Sequence, residues 1–278
     1  MKFNADHFYC IGTSHHFCED FANSAVSEQQ DKAYSIVSDG CSSAKESSIG
    51  AMLLTKSAEQ HLYPVRPKDR ADEMVNLAMQ GANVFRRTLG MSVEALRATL
   101  LTVSVVDGAF RVTTNGDGVV VARHRKNGLE YMELEFSSGA PFYPIYDLTH
   151  ADRERYLSEF PGNYTIRLHS NGNVEEVVVQ VDRANGAITY AYDYPIDQYD
   201  LVGVMSDGAQ TFYKENMTGT TKTPIMVPVE EVVNEMFSFK NLQPNFVKRR
   251  TQKAFKAFEK LGYKHFDDFS IGVVCSHD

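Results

Sequence analysis

The stretch Tyr34 to Ala51, YSIVSDGCSSAKESSIGA, decides how the rest of the chain is read. A short apolar run with two β-branched residues, Ile36 and Val37, stops at Ser38-Asp39-Gly40, and a loop of small residues then leads into apolar positions at helical spacing. That pattern is a buried strand, an acidic elbow and a helix. Leu201 to Gly208, LVGVMSDG, repeats the device, with an apolar strand that stops on Ser206-Asp207-Gly208. Two buried strands that each deliver an aspartate at the tip point to a shared site.

Asp-Gly is also a favoured hairpin pair, and the chain has four of them. Asp107-Gly108 fits a hairpin, since strand-like ATLLTVSVV precedes it and AFRVTT follows. Asp39-Gly40 does not, because a helical pattern follows. Asp117-Gly118 and Asp207-Gly208 stand between the two readings.

With 278 residues, 43% of them hydrophobic and 23% charged, the chain can bury a large core. A single domain over residues 1–278 is expected, with a loop or flap insertion around 137–163. The net charge of −8 and pI of 5.6 argue against nucleic acid and anionic membrane as partners, because phosphate surfaces attract clustered Lys and Arg. Lys248-Arg249-Arg250 is the one dense basic spot and reads as a solvated helix face. No apolar run approaches the ~20 residues that cross a bilayer, and Met1 to Asp6 has no signal-peptide core, so a cytosolic protein is expected. Cys10, Cys18, Cys41 and Cys275 lack Cys-x-x-Cys spacing and read as free buried thiols.

Taken in order, His7 to Ser14 is expected as the first strand. Helices follow over about Lys45 to His61, stopped by Pro64 and Pro67, and over Asp69 to Leu89. In the second helix Ala71, Met74, Val75, Ala78, Ala82, Phe85 and Leu89 share a stripe, with Gly90 placed as cap. Strands are expected over Ala98–Val106, Phe110–Thr114, Val119–His124 and Leu129–Phe136, with a turn at Asn127-Gly128. Three more lie between Tyr164 and Tyr194, separated by Asn171-Gly172 and Asn185-Gly186. Ser137 to His150 has no period and reads as a loop. Lys214 to Pro228 reads as a polar loop, Val229–Phe237 and Val247–Leu261 as helices stopped by Gly262, and Phe269–Cys275 as the last strand. Many antiparallel strands with helices in pairs predict an α+β fold, two sheets with helices outside.

The acidic elbows form a series: Glu19-Asp20, Asp39-Gly40, Asn115-Gly116-Asp117-Gly118, Ser206-Asp207-Gly208 and Asp267-Asp268. Each sits at the end or start of an apolar strand. With ordinary pKa values near ~4, such carboxylates repel one another at neutral pH unless cations hold them together. Oxygen ligands select hard cations such as Mg²⁺ or Mn²⁺.

GTSHHFCED, VSDGCSSAKESSIGA, TTNGDG, MSDG and DDFSIGVV occur in the order and approximate spacing of the protein phosphatase 2C family, the metal-dependent serine/threonine phosphatases. The resemblance spans Gly12 to Val274, and the opening Gly12-Thr13-Ser14-His15 is similar to a bacterial branch. It implies an α-β-β-α sandwich that hydrolyses phosphoserine and phosphothreonine in phosphorylated proteins, by in-line attack of a metal-bridging hydroxide. By the resemblance Asp39 bridges two Mn²⁺ or Mg²⁺ ions, the Gly40 carbonyl binds the second, and Asp207 and Asp267 complete the first site. Glu19 and Asp20 match the opening acidic pair, where one carboxylate holds a metal through water, and Asp117 matches the aspartate of a third, weaker ion.

Two departures stand out. The family's phosphate-gripping arginine, four residues before the motif glutamate, is replaced by His15, which becomes the candidate for that role. The usual Gly-Gly after the elbow is Ser42-Ser43, and the serine after the Gly-Asp pair is Gly118, changes next to the second and third metal positions. Zinc at His15, His16 and Cys18 is disfavoured for want of a second ligand pair. His265 reads as a surface histidine ahead of a proton shuttle, and Phe142, Tyr143 and Tyr146 as packing. The competing functions are a catalytically weak or inactive binding module on this fold, which loss of the arginine would permit, and a phosphoesterase for small molecules. Retention of Asp39, Asp207 and Asp267 favours catalysis.

Overall fold

A computed structural model describes residues 1–62, 71–181, 189–218 and 221–277. The chain runs β1 (Lys2–Cys10), β2 (Phe21–Val26), β3 (Ala33–Ser38), α1 (Ser47–Ala58), α2 (Ala71–Thr88), a 3₁₀ turn at Val93–Leu96, β4 (Leu100–Val106), β5 (Ala109–Asn115), β6 (Gly118–His124) and β7 (Gly128–Phe136). It continues through α3 (His150–Glu159), β8 (Gly162–Ser170), β9 (Asn173–Val181), β10 (Thr189–Pro195), β11 (Tyr199–Met205), β12 (Phe212–Thr218), β13 (Thr221–Met226), α4 (Val229–Met236), α5 (Phe246–Lys260), β14 (Tyr263–His265) and β15 (Phe269–His277).

The strands form a seven-stranded sheet in the order β1-β15-β11-β6-β7-β8-β9 and a five-stranded sheet in the order β10-β5-β4-β3-β2. Alternation along single strands shows why they stack. In β6 and β11, Val120, Ala122, Val202 and Val204 point into a core shared with Ile36, Val37, Leu101 and Val103 of the smaller sheet. Their neighbours Val119, Val121, Leu201 and Met205 face α4 and α5 in a second core with Val232, Met236, Val247 and Phe258. Such two-sided strands read as continuous apolar runs because both faces are covered. Helices α1 and α2 close the far face of the five-stranded sheet with Ala51, Leu54, Met74 and Ala78. The expected α-β-β-α layering of antiparallel sheets is therefore present, and a small third sheet, β13-β12-β14, stands beside it.

Turn chemistry holds where it was expected. Asp107-Gly108 (φ 49° and 76°) and Asn171-Gly172 (φ 51° and 76°) make two-residue hairpins that pair Val106 with Ala109 and Ser170 with Asn173. Gly90 (φ 71°) ends α2, with Gly90 N–H donating to Arg87 O and Met91 N–H to Arg86 O, both at 3.0 Å.

Several boundaries differ from expectation. The first strand is Lys2–Cys10 and not His7–Ser14, because Thr13 and Ser14 leave the sheet to donate their N–H groups to His265 O and Phe266 O. β2 escapes the sequence pattern because FANSAV is small and polar; pairing with β3 holds it. Lys214–Pro228 is largely a hairpin, since β13 and β14 supply ladder partners to β12 on either side. In α2 the stripe fails at its end: Met79 is buried, while Phe85 and Leu89 are 54% and 60% exposed. Helix α3 falls inside the segment expected as a loop or flap. Its start was signalled by Thr149, whose Oγ1 accepts the Asp152 N–H at 3.1 Å as an N-cap. Pro64, Pro67 and Asn185-Gly186 lie outside the described residues.

Candidate active site

Strand register brings the acidic elbows to one edge of the sandwich. Phe21, just after Asp20, pairs with Ser38, just before Asp39. Leu100 pairs with Asn115, so the β4 start and the β5 end share that edge. Asp117 then lies on a crossing from the five-stranded to the seven-stranded sheet, which rules out a hairpin there. In the larger sheet Met205, at the end of β11, pairs with both Val119 and Ile271. Asp207 and Asp267 therefore arrive beside Asp117.

Asp39, Asp117 and Asp207 each offer a carboxylate oxygen within 4.8 Å of the others. With Asp267 and Gly40 they line a cleft of about 380 Å³. Burial and like-charge neighbours act together on this group. Burial first, then Asp20 and Asp207, raises the Asp39 carboxyl well above the usual carboxylate range. Burial and then Asp207 do the same to Asp117, while burial and then Asp267 push Asp207 up to about 6. Asp20 is 3% exposed and burial pushes it up to about 7, although Ser206 Oγ donates to its Oδ2 at 2.7 Å. The Oδ1 atoms of Asp20, Asp117 and Asp207 are buried and lack a hydrogen-bond partner. Buried carboxylate oxygens left without a partner, with Asp117 and Asp207 converging on Asp39, are a donor set suited to hard divalent ions.

Backbone geometry explains one departure from the family pattern. Gly118 has φ 135°, and a Cβ there would lie 2.5 Å from Met205 O, so the serine seen elsewhere in the family does not fit this turn. Ser42 and Ser43 lie in the cleft wall beside Cys41.

His15 is held among three carboxylates. Its Nδ1 faces Glu19 Oε2 at 3.0 Å and Asp268 Oδ2 at 3.3 Å, and its Nε2 faces Asp267 Oδ1 at 3.1 Å. Both ring nitrogens are thus engaged by carboxylates, and the ring is not part of the cleft lining. Asp268, 1% exposed, accepts the Gly12 N–H at 2.7 Å and the Glu19 N–H, which ties the opening loop to β15. Glu19 is buried too and accepts Ser47 Oγ–H at 3.2 Å.

Cys18 donates its thiol to Asp20 O, and the metal-capable groups among the described residues contain no cysteine. His265 is half-buried: it packs on Phe255 and Phe212 with centroids 5.2 Å away, and burial lowers its pKa. Phe142, Tyr143 and Tyr146 are buried as expected, yet Tyr143 and Tyr146 also wall the cleft. The two cationic cleft residues, Arg97 and Arg155, carry no motif and were missed in the sequence.

Solved structures share this architecture. The serine/threonine phosphatase Stp1 from Staphylococcus aureus aligns with 100% of this chain and 96% of its own at 12% identity, with a TM-score of 0.56. The Mycobacterium tuberculosis serine/threonine phosphatase PstP/Ppp aligns over 100% of both chains at 12% identity and a TM-score of 0.53. The S. agalactiae serine/threonine phosphatase aligns with 99% of this chain and 100% of its own, at 13% identity and a TM-score of 0.52. No curated protein sequence matches the chain. Residues 11–244 match the family model for protein phosphatase 2C, and because that match spans most of the sequence, the chain belongs to the protein phosphatase 2C family of metal-dependent protein phosphatases.

Proposed function

We propose that the cleft hydrolyses phosphoserine and phosphothreonine on protein substrates, with Mn²⁺ or Mg²⁺ held by Asp39, Asp207, Asp267 and the Gly40 carbonyl. Asp20 would hold a metal through water, and Asp117 would serve a third, weaker position. The observation that carries this reading is the convergence of buried carboxylates whose Oδ1 atoms on Asp20, Asp117 and Asp207 have no partner. When bound, divalent ions supply Lewis acidity and a water of lowered pKa, so the chain needs no nucleophile of its own.

The chain's residues supply position and exclusion. Ser206 orients Asp20 through its hydroxyl, and Thr99 holds the elbow by accepting the Asp39 N–H at 3.0 Å on its Oγ1. His15 acts as a positioning residue, bracing Asp267 against Glu19 and Asp268. Residues 137–163 serve as a flap on a single domain: Tyr156 O–H donates to Ala140 O at 2.7 Å, and Ala140, Pro141, Tyr143 and Phe160 shield one side of the cleft from water. Among the described residues no helix is long and apolar enough to cross a membrane.

The test is hydrolysis of a phosphothreonine peptide and of an aryl phosphate with Mn²⁺, after chelation, and after metal is restored. Activity should vanish with chelator, return with Mn²⁺, and fall by at least about 10²-fold in Asp39→Asn, the scale on which lost electrostatic stabilisation acts. Turnover that survives chelation overturns the metal assignment, and absence of turnover at any metal concentration overturns the enzyme.

A further inference from the structure

His15 leaves the substrate phosphate without the guanidinium that the family pattern supplies, and the cleft shows what replaces it. Arg97 and Arg155 are the cationic side chains among the described cleft-lining residues. Resting on the phosphatase reading above, we propose that Arg97 grips the substrate phosphate in this chain, taking the task from the opening-motif position that His15 occupies.

Arg97 is placed by backbone and not by motif. The segment Arg97 to Thr99 runs antiparallel to the acidic elbow: Cys41 N–H donates to Arg97 O at 2.8 Å, Gly40 bridges Ala98, and Thr99 N–H donates to Asp39 O at 2.8 Å. Arg97 is thereby fixed opposite Cys41, two residues along the elbow from Asp39. From the other side, α1 clamps the 3₁₀ turn that precedes it; a Cβ on Gly50 would lie 1.6 Å from Ala95 O, so no larger residue permits this approach.

The guanidinium is held but available. Among the described residues its guanidinium pairs with Glu94, Nη2 to Oε1 at 3.4 Å, and that glutamate is 53% exposed. Such an i,i+3 pair is weak and is given up readily to a dianion. Arg97 itself is 26% exposed, so part of its charge is shielded from water, which strengthens a charge-assisted bond to phosphate. The hydroxyl of Tyr146, raised by burial, is countered by the positive charge of Arg97 and then of Arg155, which fits both groups facing one wall. Arg155 differs in support: it rides on α3, is 53% exposed and pairs with Asp152 at 3.3 Å. A planar fork on the rigid wall suits the phosphoryl group, while a fork on the flap suits groups around it.

The experiment is calorimetric titration of inorganic phosphate into the Mn²⁺-loaded protein, for wild type, Arg97→Gln, Arg97→Lys and Arg155→Gln, with Mn²⁺ affinity measured on each. Arg97→Gln should weaken phosphate about tenfold or more, Arg97→Lys should remain at least about threefold weaker because a point charge lacks the bidentate fork, and Mn²⁺ affinity should be equal or tighter. Should Arg97→Gln not fold, Arg97→Lys decides by the same comparison. Equal phosphate affinity in wild type and the Arg97 variants, or a loss confined to Arg155→Gln, overturns the assignment while leaving the phosphatase reading intact. A wild type that neither binds phosphate nor turns over with Mn²⁺ removes that reading, and this inference with it.

Discussion

Asp267 and Asp268 are adjacent in sequence and opposite in use. The Asp267 side chain is 37% exposed and opens to the cleft, whereas Asp268 is sealed and accepts two backbone N–H groups from the opening loop. Asp268→Asn keeps the shape but offers one acceptor oxygen in place of two and turns an NH₂ toward a donor. It should cost about 2 to 3 kcal/mol in urea unfolding, the scale of a buried donor left unpaired. A variant as stable as the wild type would show that the opening loop does not depend on this clamp. That an acidic elbow precedes β15 was legible in the sequence. The family resemblance singled out Asp267, whereas residue pattern alone does not choose between the two carboxylates, because the choice depends on where Gly12 and Glu19 arrive from the other end of the chain.

At the scale of elements, α5 is ended by local chemistry and begun by distant chemistry. Its N-cap residue, Asn245, makes no side-chain cap bond. Instead Asp6 of β1, 8% exposed, accepts the N–H groups of Val247 at 2.7 Å and Lys248 at 3.1 Å through Oδ2. A carboxylate at this helix start satisfies orphan donors and complements the helix dipole. Asp6→Ala should lower stability by about 1 to 2 kcal/mol and leave Mn²⁺ affinity unchanged, as read by chemical denaturation and calorimetry. A shift in metal affinity would mean that α5 packing reaches the cleft. The apolar stripe of α5 was visible at 3.6-residue spacing, while its cap lies 241 residues away from Val247 and has no local signature.

For the whole molecule, the cost of gathering carboxylates should appear as a dependence of stability on pH and metal. In chelated protein Asp20 and Asp207, raised to about 7 and about 6 by burial, hold protons that the unfolded chain releases near ~4. The folded state then binds more protons, so stability is lost as pH rises from about 4 through about 7. His7 acts in the opposite sense, since burial lowers its pKa and its contribution is lost as pH falls below ~6.5. Comparison with Asp39→Asn separates the two: the chelated wild type should lose stability with rising pH more steeply than this variant. Free Mn²⁺ at 100 times its Kd should add about 2.7 kcal/mol and reverse the slope, because protons then compete with metal. The same slope with and without Mn²⁺ would mean that the carboxylate cluster does not hold the ion.

The sequence by itself determined the layered α+β class, the hairpin turns at Asp107-Gly108 and Asn171-Gly172, and the aspartates at strand tips. Each of these rests on short-range rules: residue periodicity, backbone conformations open to Gly and Asn, and apolar runs that break at an acidic pair. Tertiary structure decided how the elbows meet and which other residues serve them. Strand register put Asp117 beside Asp39 and Asp207, turned His15 into a brace among three carboxylates, and stitched Arg97 to the elbow through backbone bonds. Those outcomes depend on pairings between residues tens to hundreds of positions apart, and a backbone hydrogen bond is blind to the side chain that carries it, so no pattern of residue types announces them.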